Sequence, residues 1–455
     1  MKPKEKKCLF TLAALVVLVF CLTGADLYAM PSVDRTVLGN HLVLLHSEDH
    51  SLPFVTLQLL VDAGSAKDPD GKEGLAYLTA RGLMLGTALH TQTDINEKLD
   101  FLGISLESSA GRDYAVLSLR VLKKDLGEGL ALLLEAFTQP AFPEKELMNE
   151  RGKTLALIQS EEDQPGIVAE KGFMKALFVS GPYRHPSSGT KESLPGITRE
   201  DVTNFYQTYY RPNNCILAVV GDIRPGEVKK KLVPLFEKQS ERSLPDVSVK
   251  NTFSNLTKGP VTVMIDRQIS QANIVLGSPG ISRGNPDFYA LSVMNYILGS
   301  GGFASRLLEE IRNKRGLAYS VESFFDPGRY EGSFQVVLET KNASAREAIS
   351  LAVAQIKLMQ EALVSEKELE GAKKYLIGSF PLRVDTQAKL AGFMIQEEYY
   401  GLGQDYPDKY PGLIRSVTRE EVLRVARSYL HPEKYVLVIV GNLKEVAPEQ
   451  DKGKH

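Results

Sequence analysis

The chain has 455 residues, which is long for one domain, and length alone favours two or more hydrophobic cores. Its formal net charge is −2 and 24% of its residues are charged, so composition indicates neither a nucleic-acid-binding surface nor an acidic tail. Partners therefore have to be inferred from motifs.

The chain begins with a segment that is typical of an export signal. Residues 1–7 are basic, residues 8–22 are almost wholly apolar, and the small residues 23–25 offer a cleavage site, with a second one after Ala29. The apolar run is short for a membrane span, which needs about 20 residues. We therefore expect residues 1–29 to be a signal peptide and the protein to be exported to the periplasm. An uncleaved N-terminal membrane anchor is the alternative.

The cysteines indicate that the mature chain has no internal disulfide. Cys8 and Cys21 lie inside the predicted signal, which leaves Cys215 in the apolar run 215–220. A single thiol cannot form an internal disulfide, so hydrophobic cores must stabilise the mature chain. We expect Cys215 to be a buried small hydrophobe rather than a reactive nucleophile.

The first half of the mature chain shows helix and strand patterns in a clear order. Residues 74–87 form a helix-like segment framed by glycines, and residues 94–102 predict a helix that ends at Gly103. Two strands, at residues 104–109 and 114–121, are predicted to follow.

A repeat then shows that the chain has two related halves. Residues 197–222 predict a helix capped by Thr198, a Pro turn, and a buried strand that ends at glycine. The same pattern returns at a constant offset in residues 417–442, where Thr418 is the cap. We therefore predict an α+β fold of two homologous halves, each an antiparallel-rich sheet covered by helices.

The second half repeats the helix, glycine stop and hairpin of the first. Residues 305–312 predict a helix that ends near Gly316, and the strands 318–325 and 332–339 follow it, joined by a turn at 326–328.

Composition also sets the expected boundaries. Residues 241–260 are polar with little apolar periodicity, and we interpret them as a linker. The first domain then spans 30–240, the second 261–445, and a flexible tail 446–455.

Together these pieces resemble the insulinase/pitrilysin family of zinc metallopeptidases in its two-half form, which includes mitochondrial processing peptidase. The resemblance covers residues 36–443. It rests on residues 74–87, on Gly-Pro-Tyr-Arg-His-Pro at 181–186, on Tyr-Tyr-Arg-Pro-Asn-Asn at 209–214, and on Arg-Gly-Leu-Ala-Tyr-Ser-Val at 315–321. No single piece is highly specific, but their order is.

The resemblance implies that residues 74–87 should carry His-x-x-Glu-His, the inverted zinc motif. The three motif positions hold Tyr77, Ala80 and Arg81 instead, and Leu157 stands near the position of the distant carboxylate ligand. A guanidinium stays protonated, and it would repel a divalent ion about 4 Å away by several kcal/mol even at an effective dielectric of about 20. We therefore predict that this chain holds no metal and contains no catalytic residue of its own.

The second half retains family-specific site residues, whereas the first half lacks them. In the family an Arg and a Tyr face the zinc site from the opposite half and hold the substrate, and the resemblance places them here at Arg312 and Tyr319. A guanidinium and a phenol are good donors to a peptide carbonyl or an oxyanion. The glycine-rich loop 298–303 precedes them. In relatives the matching loop helps to admit substrate, while a plain turn at a helix start is the alternative here.

The resulting hypothesis is an exported, non-catalytic subunit of a heterodimeric peptidase. It would bind an unfolded peptide or protein substrate by strand addition at a sheet edge and supply Arg312 and Tyr319 to the zinc site of a homologous partner subunit. No cofactor is expected in this chain, and zinc is expected in the partner. Two alternatives stay open: a catalytically inert peptide-binding or structural homologue, and a self-sufficient metalloendopeptidase with unusual ligands.

Overall fold

Two β-sheets with the same strand order form the framework of the computed structural model, which describes residues 31–245 and 250–446. The strands in chain order are β1 (Asp34–Val37), β2 (Val43–Glu48), β3 (Phe54–Val61), β4 (Ser105–Ala110), β5 (Ala115–Leu122), β6 (Phe178–Ser180), β7 (Cys215–Gly221), β8 (Thr252–Phe253), β9 (Val261–Asp266), β10 (Gln271–Pro279), β11 (Ala318–Asp326), β12 (Ser333–Lys341) and β13 (Val436–Gly441). The predicted signal peptide and nearly all of the predicted tail lie outside the described residues.

Helices cover these sheets. The α-helices are α1 (Leu75–Gly82), α2 (Gln92–Leu102), α3 (Leu126–Thr138), α4 (Glu144–Glu161), α5 (Pro165–Leu177), α6 (Arg199–Tyr209), α7 (Pro225–Lys231), α8 (Val233–Glu237), α9 (Phe288–Asn295), α10 (Ala345–Glu361), α11 (Glu366–Gly378), α12 (Gln387–Tyr399), α13 (Tyr406–Arg415), α14 (Arg419–Tyr429) and α15 (Leu443–Val446). Two further turns, Tyr296–Ser300 and Leu308–Asn313, are π-helical.

The strand orders confirm two homologous halves. The first sheet runs β1-β2-β7-β3-β5-β4, and the second runs β9-β13-β10-β12-β11. In each sheet one pair is parallel, β2 with β7 and β9 with β13, and the other pairs are antiparallel. The predicted α+β fold with antiparallel-rich sheets is therefore confirmed. The residue boundaries of the two domains stay a prediction.

The repeated element has the predicted local structure. Thr198 and Thr418 each cap a helix through a capping box, in which the hydroxyl accepts the N–H of the third helical residue. The strands β7 and β13 follow and are buried along almost their whole length. Cys215 is a free, buried thiol at the start of β7, as expected, and burial raises its pKa far above the ordinary value.

Each half contributes one helix that packs on the sheet of the other half. Helix α5 of the first half packs on β10 and β13 of the second sheet, where Phe173 and Val438 belong to one buried cluster. Helix α12 of the second half packs on β3 and β7 of the first sheet, and Gln58 in β3 donates to the carbonyl of Ala388 at 3.1 Å. Because each sheet uses the other half's helix to bury a face, we expect the halves to depend on each other for stability.

The predicted linker has some structure of its own. Within residues 241–260, β8 pairs with β6, and the rings of Phe253 and Phe178 lie 5.1 Å apart. Leu256 is buried nearby. Phe253 and Leu256 are only two apolar residues, which is too few to produce a periodic pattern in the sequence.

Among the described helices, no single one is long and apolar enough to cross a bilayer. One pair bent by 102°, Asn342–Glu361 with Glu366–Gly378, has the required length and hydropathy only when the two helices are joined.

Candidate functional site

Helix α1 carries the three positions that the family resemblance assigned to the zinc motif. It begins after Gly74, whose φ of 96° is left-handed and whose Cβ, if present, would approach the Ser188 carbonyl to 2.8 Å. The Asp68 carboxylate accepts the N–H groups of Gly74 and Ala76 at 2.8 and 2.7 Å. The helix start is therefore fixed, and its side chains are held against β4 and α4.

An ion pair replaces metal ligation on this helix. Tyr77 is half-buried and Ala80 is fully buried, while Arg81 donates from Nε to Oε1 of Glu150 at 2.7 Å. Glu150 lies on α4 and is only 3% exposed. Lys153 lies 3.5 Å from its other oxygen. Burial alone would lower the pKa of Arg81, but the bond to Glu150 raises it overall, so this side chain is a permanent cation.

The residues of this cleft do not fit zinc. Leu157, near the position of the distant carboxylate, is an exposed apolar side chain on α4. Zinc in proteins takes neutral imidazole, thiolate or carboxylate ligands, and none of the four motif positions offers one. The carboxylate that contacts the motif residues, that of Glu150, is already neutralised by Arg81. Within residues 31–245 and 250–446, no group of three His, Cys, Asp or Glu residues is arranged to hold a metal ion.

A cavity of about 320 Å³ lies beside this ion pair. Its lining includes Arg81, Lys153 and Glu150 together with residues of β4, which is the last strand of the first sheet. Ser108 in β4 is buried there, and its hydroxyl has no partner among the described residues. The cleft is thus polar, and it borders a strand edge that no other described strand covers.

The second site lies in the other half. Arg312 is in the π-helical turn Leu308–Asn313, which ends near Gly316 with a left-handed φ of 64°. The expected α-helix over residues 305–312 is therefore wound more widely. Tyr319 is at the start of β11, where the pairing with β12 shifts register between Ala318 and Ser320. This irregularity turns the ring out of the ladder and leaves Tyr319 73% exposed.

The structure brings Arg312 and Tyr319 together and adds a third residue. The guanidinium carbon of Arg312 lies 5.7 Å from the ring centroid of Tyr319 and 5.5 Å from that of Phe303. Phe303 ends the glycine-rich loop and is 74% exposed. In the described part of the chain Arg312 forms no ion pair, so its N–H donors face two aromatic rings and solvent.

Sequence reasoning had missed two of these residues. Glu150 belongs to a segment that matches the family, but no local sequence pattern predicts that it pairs with Arg81. Phe303 carried one usable signal, because a large aromatic residue in a loop of glycines has no core to enter. The structure places Arg81 with Glu150 and Arg312 with Tyr319 as two clusters, one in each half.

Two models of one protein family match successive parts of the chain. A model described as insulinase (peptidase family M16) matches residues 43–191, and a model described as peptidase M16 inactive domain matches residues 196–376. A solved structure described as the peptidase M16 inactive domain from Pseudomonas fluorescens is 28% identical, with a TM-score of 0.83, and covers 90% of this chain and 98% of that one.

Three relatives match along almost their whole length. An uncharacterized zinc protease of Streptomyces coelicolor is 26% identical over 92% of this chain and 91% of its own. A non-peptidase homolog, YmxG, of Helicobacter pylori is 25% identical over 88% and 92%. A probable mitochondrial-processing peptidase subunit beta of Arabidopsis thaliana is 25% identical over 93% and 80%. These names include both peptidases and a non-peptidase, so the chemistry has to be judged from the residues.

Proposed function

Because this chain belongs to peptidase family M16, the insulinase family, we propose that it is the non-catalytic subunit of a heteromeric zinc peptidase. Its role is to bind an unfolded peptide and to supply Arg312 and Tyr319 to the zinc site of a homologous partner subunit. The partner holds the metal and activates the water.

One observation carries this proposal. Arg81 stands where the second zinc-binding histidine of the motif would be, and its side chain is bonded to the buried Glu150 at 2.7 Å. Random loss of the zinc ligands would not by itself require a cation at position 81. The buried carboxylate does require one, because an unpaired buried charge is strongly destabilising. The pair therefore supports the proposal that the first half binds no metal.

The second half supports the substrate-binding role. Tyr319 is an exposed donor in β11, the last strand of the second sheet, and Arg312 is a half-exposed donor that precedes this strand. An extended peptide that adds to such an edge forms main-chain hydrogen bonds, and the neighbouring side chains then select what it carries. A guanidinium without a carboxylate partner is available for a peptide carbonyl or for the oxyanion of a partner's reaction.

The relatives support the same division of labour. The Helicobacter pylori relative is named a non-peptidase homolog, and the Arabidopsis thaliana relative is named a subunit. The proposal also places the protein outside the cytoplasm, on the basis of the export signal predicted at residues 1–29.

The test is to isolate the protein from its native source, identify the chain that co-purifies, and count zinc per chain. The complex is then assayed on unfolded peptides with wild-type protein and with the double variant Arg312→Ala, Tyr319→Phe. We expect the partner to contain one zinc and the isolated chain to be inactive. The double variant should lower kcat/KM at least about a hundredfold, because the loss of one donor to developing charge costs about 3 kcal/mol.

Arg315→Ala is the matched control. Arg315 lies three residues from Arg312 but is paired with Glu310 and Glu347 at 3.4 Å, so its loss should leave activity within about twofold. Full activity of the partner alone, or an unchanged rate with the double variant, would refute the proposal. A chain that binds peptides and co-purifies with no zinc-bearing homologue would instead be an inert peptide-binding protein.

A further inference from the structure

A cavity of about 950 Å³ lies apart from both candidate sites. Residues of the segment 65–73, of α5 and of the segment 179–192 form most of its lining. It shares no lining residue with the cleft of Arg81 or with the Arg312 cluster. Sites for small molecules have volumes of about 300–1,000 Å³, so this one has room for a ligand.

One wall of the cavity is rigid. The turn Ser65–Lys67 is hydrogen-bonded to the hairpin between β4 and β5, with Ser65 N–H donating to the Gly111 carbonyl at 3.0 Å and Ala66 N–H to the Arg112 carbonyl at 2.8 Å. Gly64 is packed so closely there that a Cβ would collide with the Arg112 carbonyl. The positions of the side chains that this turn projects are therefore set before any ligand arrives.

The opposite wall is also fixed. Gly189 has a left-handed φ of 85°, and a Cβ on it would collide with the backbone of Glu73. The Ser193 hydroxyl donates to the Glu73 carbonyl at 2.7 Å. Both walls are thus held by backbone contacts, which is the condition for a preformed site.

Lys67 lines this cavity and is only weakly paired. Its side chain is only 13% exposed, and its nearest carboxylate oxygen, Oδ2 of Asp62, is 4.0 Å away. The same oxygen lies 2.9 Å from Nη1 of Arg329. One carboxylate therefore faces two cations, and the closer one is Arg329. A partly buried ammonium with so weak a partner favours an added anion.

Ser65 supplies a second, independent observation. The residue is 1% exposed and lines the cavity, and its hydroxyl has no hydrogen-bond partner among the described residues. Leaving a buried polar group unpaired costs about 1–3 kcal/mol. An acceptor in the cavity would remove that cost.

The other charges of the lining decide which anion fits. Two cations are already neutralised, Lys171 by Glu161 at 2.6 Å and Lys191 by Glu162 at 2.7 Å. In the part of the chain that the structure describes, Arg184 and Lys175 form no ion pair, and Arg184 donates from Nε to the Phe178 carbonyl at 3.0 Å.

Two acids of the lining, Asp70 and Glu192, are exposed. A third, Glu73, is half-buried and accepts the backbone N–H of Gly71 at 3.1 Å. Asp68 lies deeper, accepts two backbone N–H groups, and has a pKa that burial raises to about 8, so it adds little negative charge at neutral pH. Exposed acids at the entrance repel polyanions. A compact anion is therefore the ligand that matches the interior.

We propose that this cavity is a binding site for a compact anion that presents a carboxylate or phosphate group, with Lys67 and Ser65 as inner donors and Arg184 at the mouth. The site does not depend on the peptidase proposal, because it uses none of the same residues. Lysine acts on such a group as a point charge, and the serine hydroxyl completes its coordination.

Isothermal titration calorimetry at low ionic strength tests the site, with inorganic phosphate in one arm and succinate in the other. We expect saturable binding of at least one probe and competition by added chloride. Lys67→Met should weaken binding about tenfold and Ser65→Ala about threefold, and the arm with the higher affinity identifies the preferred group.

Lys153→Met is the matched control, because Lys153 is a lysine of the other cleft and should leave affinity unchanged. Absence of saturable binding in both arms would overturn the proposal, and so would wild-type affinity in Lys67→Met. If circular dichroism shows that Lys67→Met is unfolded, Arg184→Gln, at an exposed position, replaces it. Affinity equal to the wild type would then count against the site.

Discussion

The two halves share one strand order, but Arg81 in the first half and Arg312 in the second have opposite surroundings. In the first half Arg81 is bonded to the buried Glu150, so its charge is already paired. In the second half Arg312 lies between the exposed rings of Phe303 and Tyr319 without an ion pair in the described residues. The same scaffold therefore uses one guanidinium to balance a buried charge, and we propose that the other binds a ligand.

The largest effect should come from rebuilding the missing ligands in the first half. A variant with Tyr77→His, Ala80→Glu, Arg81→His and Leu157→Glu places two imidazoles one helical turn apart on α1 and a carboxylate on α4. We expect about one zinc per chain in this variant and none in the wild type, measured by elemental analysis after dialysis.

Stoichiometric zinc in the wild type that is lost on chelation would contradict the comparison of the halves. Equal zinc in the two proteins, with the variant folded by circular dichroism, would contradict it as well. Arg81→Met alone serves as the control, because it removes the cation without adding a ligand.

The next effect is on stability. Arg81→Met leaves Glu150 buried with only Lys153 nearby, at 3.5 Å. Breaking a fully buried pair costs 3–5 kcal/mol, but Arg81 is half exposed, so we expect a loss of about 1–3 kcal/mol in the free energy of unfolding by urea. Arg315→Ala, at an exposed pair, should lose about 0–0.5 kcal/mol. Equal losses in the two variants would mean that the buried pair has no special role.

Glu397 is a buried carboxyl that, unlike Glu150, forms no ion pair within residues 31–245 and 250–446. Burial, aided by the charges of Asp405 and Glu398, raises the pKa of Glu397 to about 7 from an ordinary value of 4.5. Between these values the folded state keeps a proton that the unfolded state releases. The stabilisation is therefore complete below about pH 4.5 and is lost as the pH rises through 7.

Glu397→Gln should remove this dependence. We expect the variant to gain about 1–2 kcal/mol relative to the wild type between pH 5 and pH 8, measured by urea unfolding at both values. A difference between the two proteins that does not change with pH would show that Glu397 titrates normally.

The smallest effect should be that of Arg312→Ala with Tyr319→Phe on stability. Both side chains are exposed or half-exposed and neither fills a core, so unfolding should change by less than about 0.5 kcal/mol. A loss above about 1 kcal/mol would indicate a structural role and would weaken the assignment to substrate binding.

Much of the fold could be predicted because its signals are local. Thr198 and Thr418 cap helices as their sequence patterns predict, and Gly103 ends α2 with a left-handed φ of 62°. The hairpins β4–β5 and β11–β12 begin and end within a few residues of the predicted bounds. The exception is the segment before β11, where a π-helical turn, which has no distinctive periodicity, replaces the expected α-helix.

The sequence by itself determined the family, the repeat, the loss of zinc ligands at Tyr77, Ala80 and Arg81, and the pairing of Arg312 with Tyr319. Each of these depends on residue identity at a fixed spacing. Only the tertiary structure decided that Glu150, 69 positions from Arg81, neutralises it, that α5 and α12 are exchanged, and that Lys67 and Ser65 face one cavity. Such contacts join segments distant in sequence, and local periodicity does not encode which of many buried or charged residues will meet.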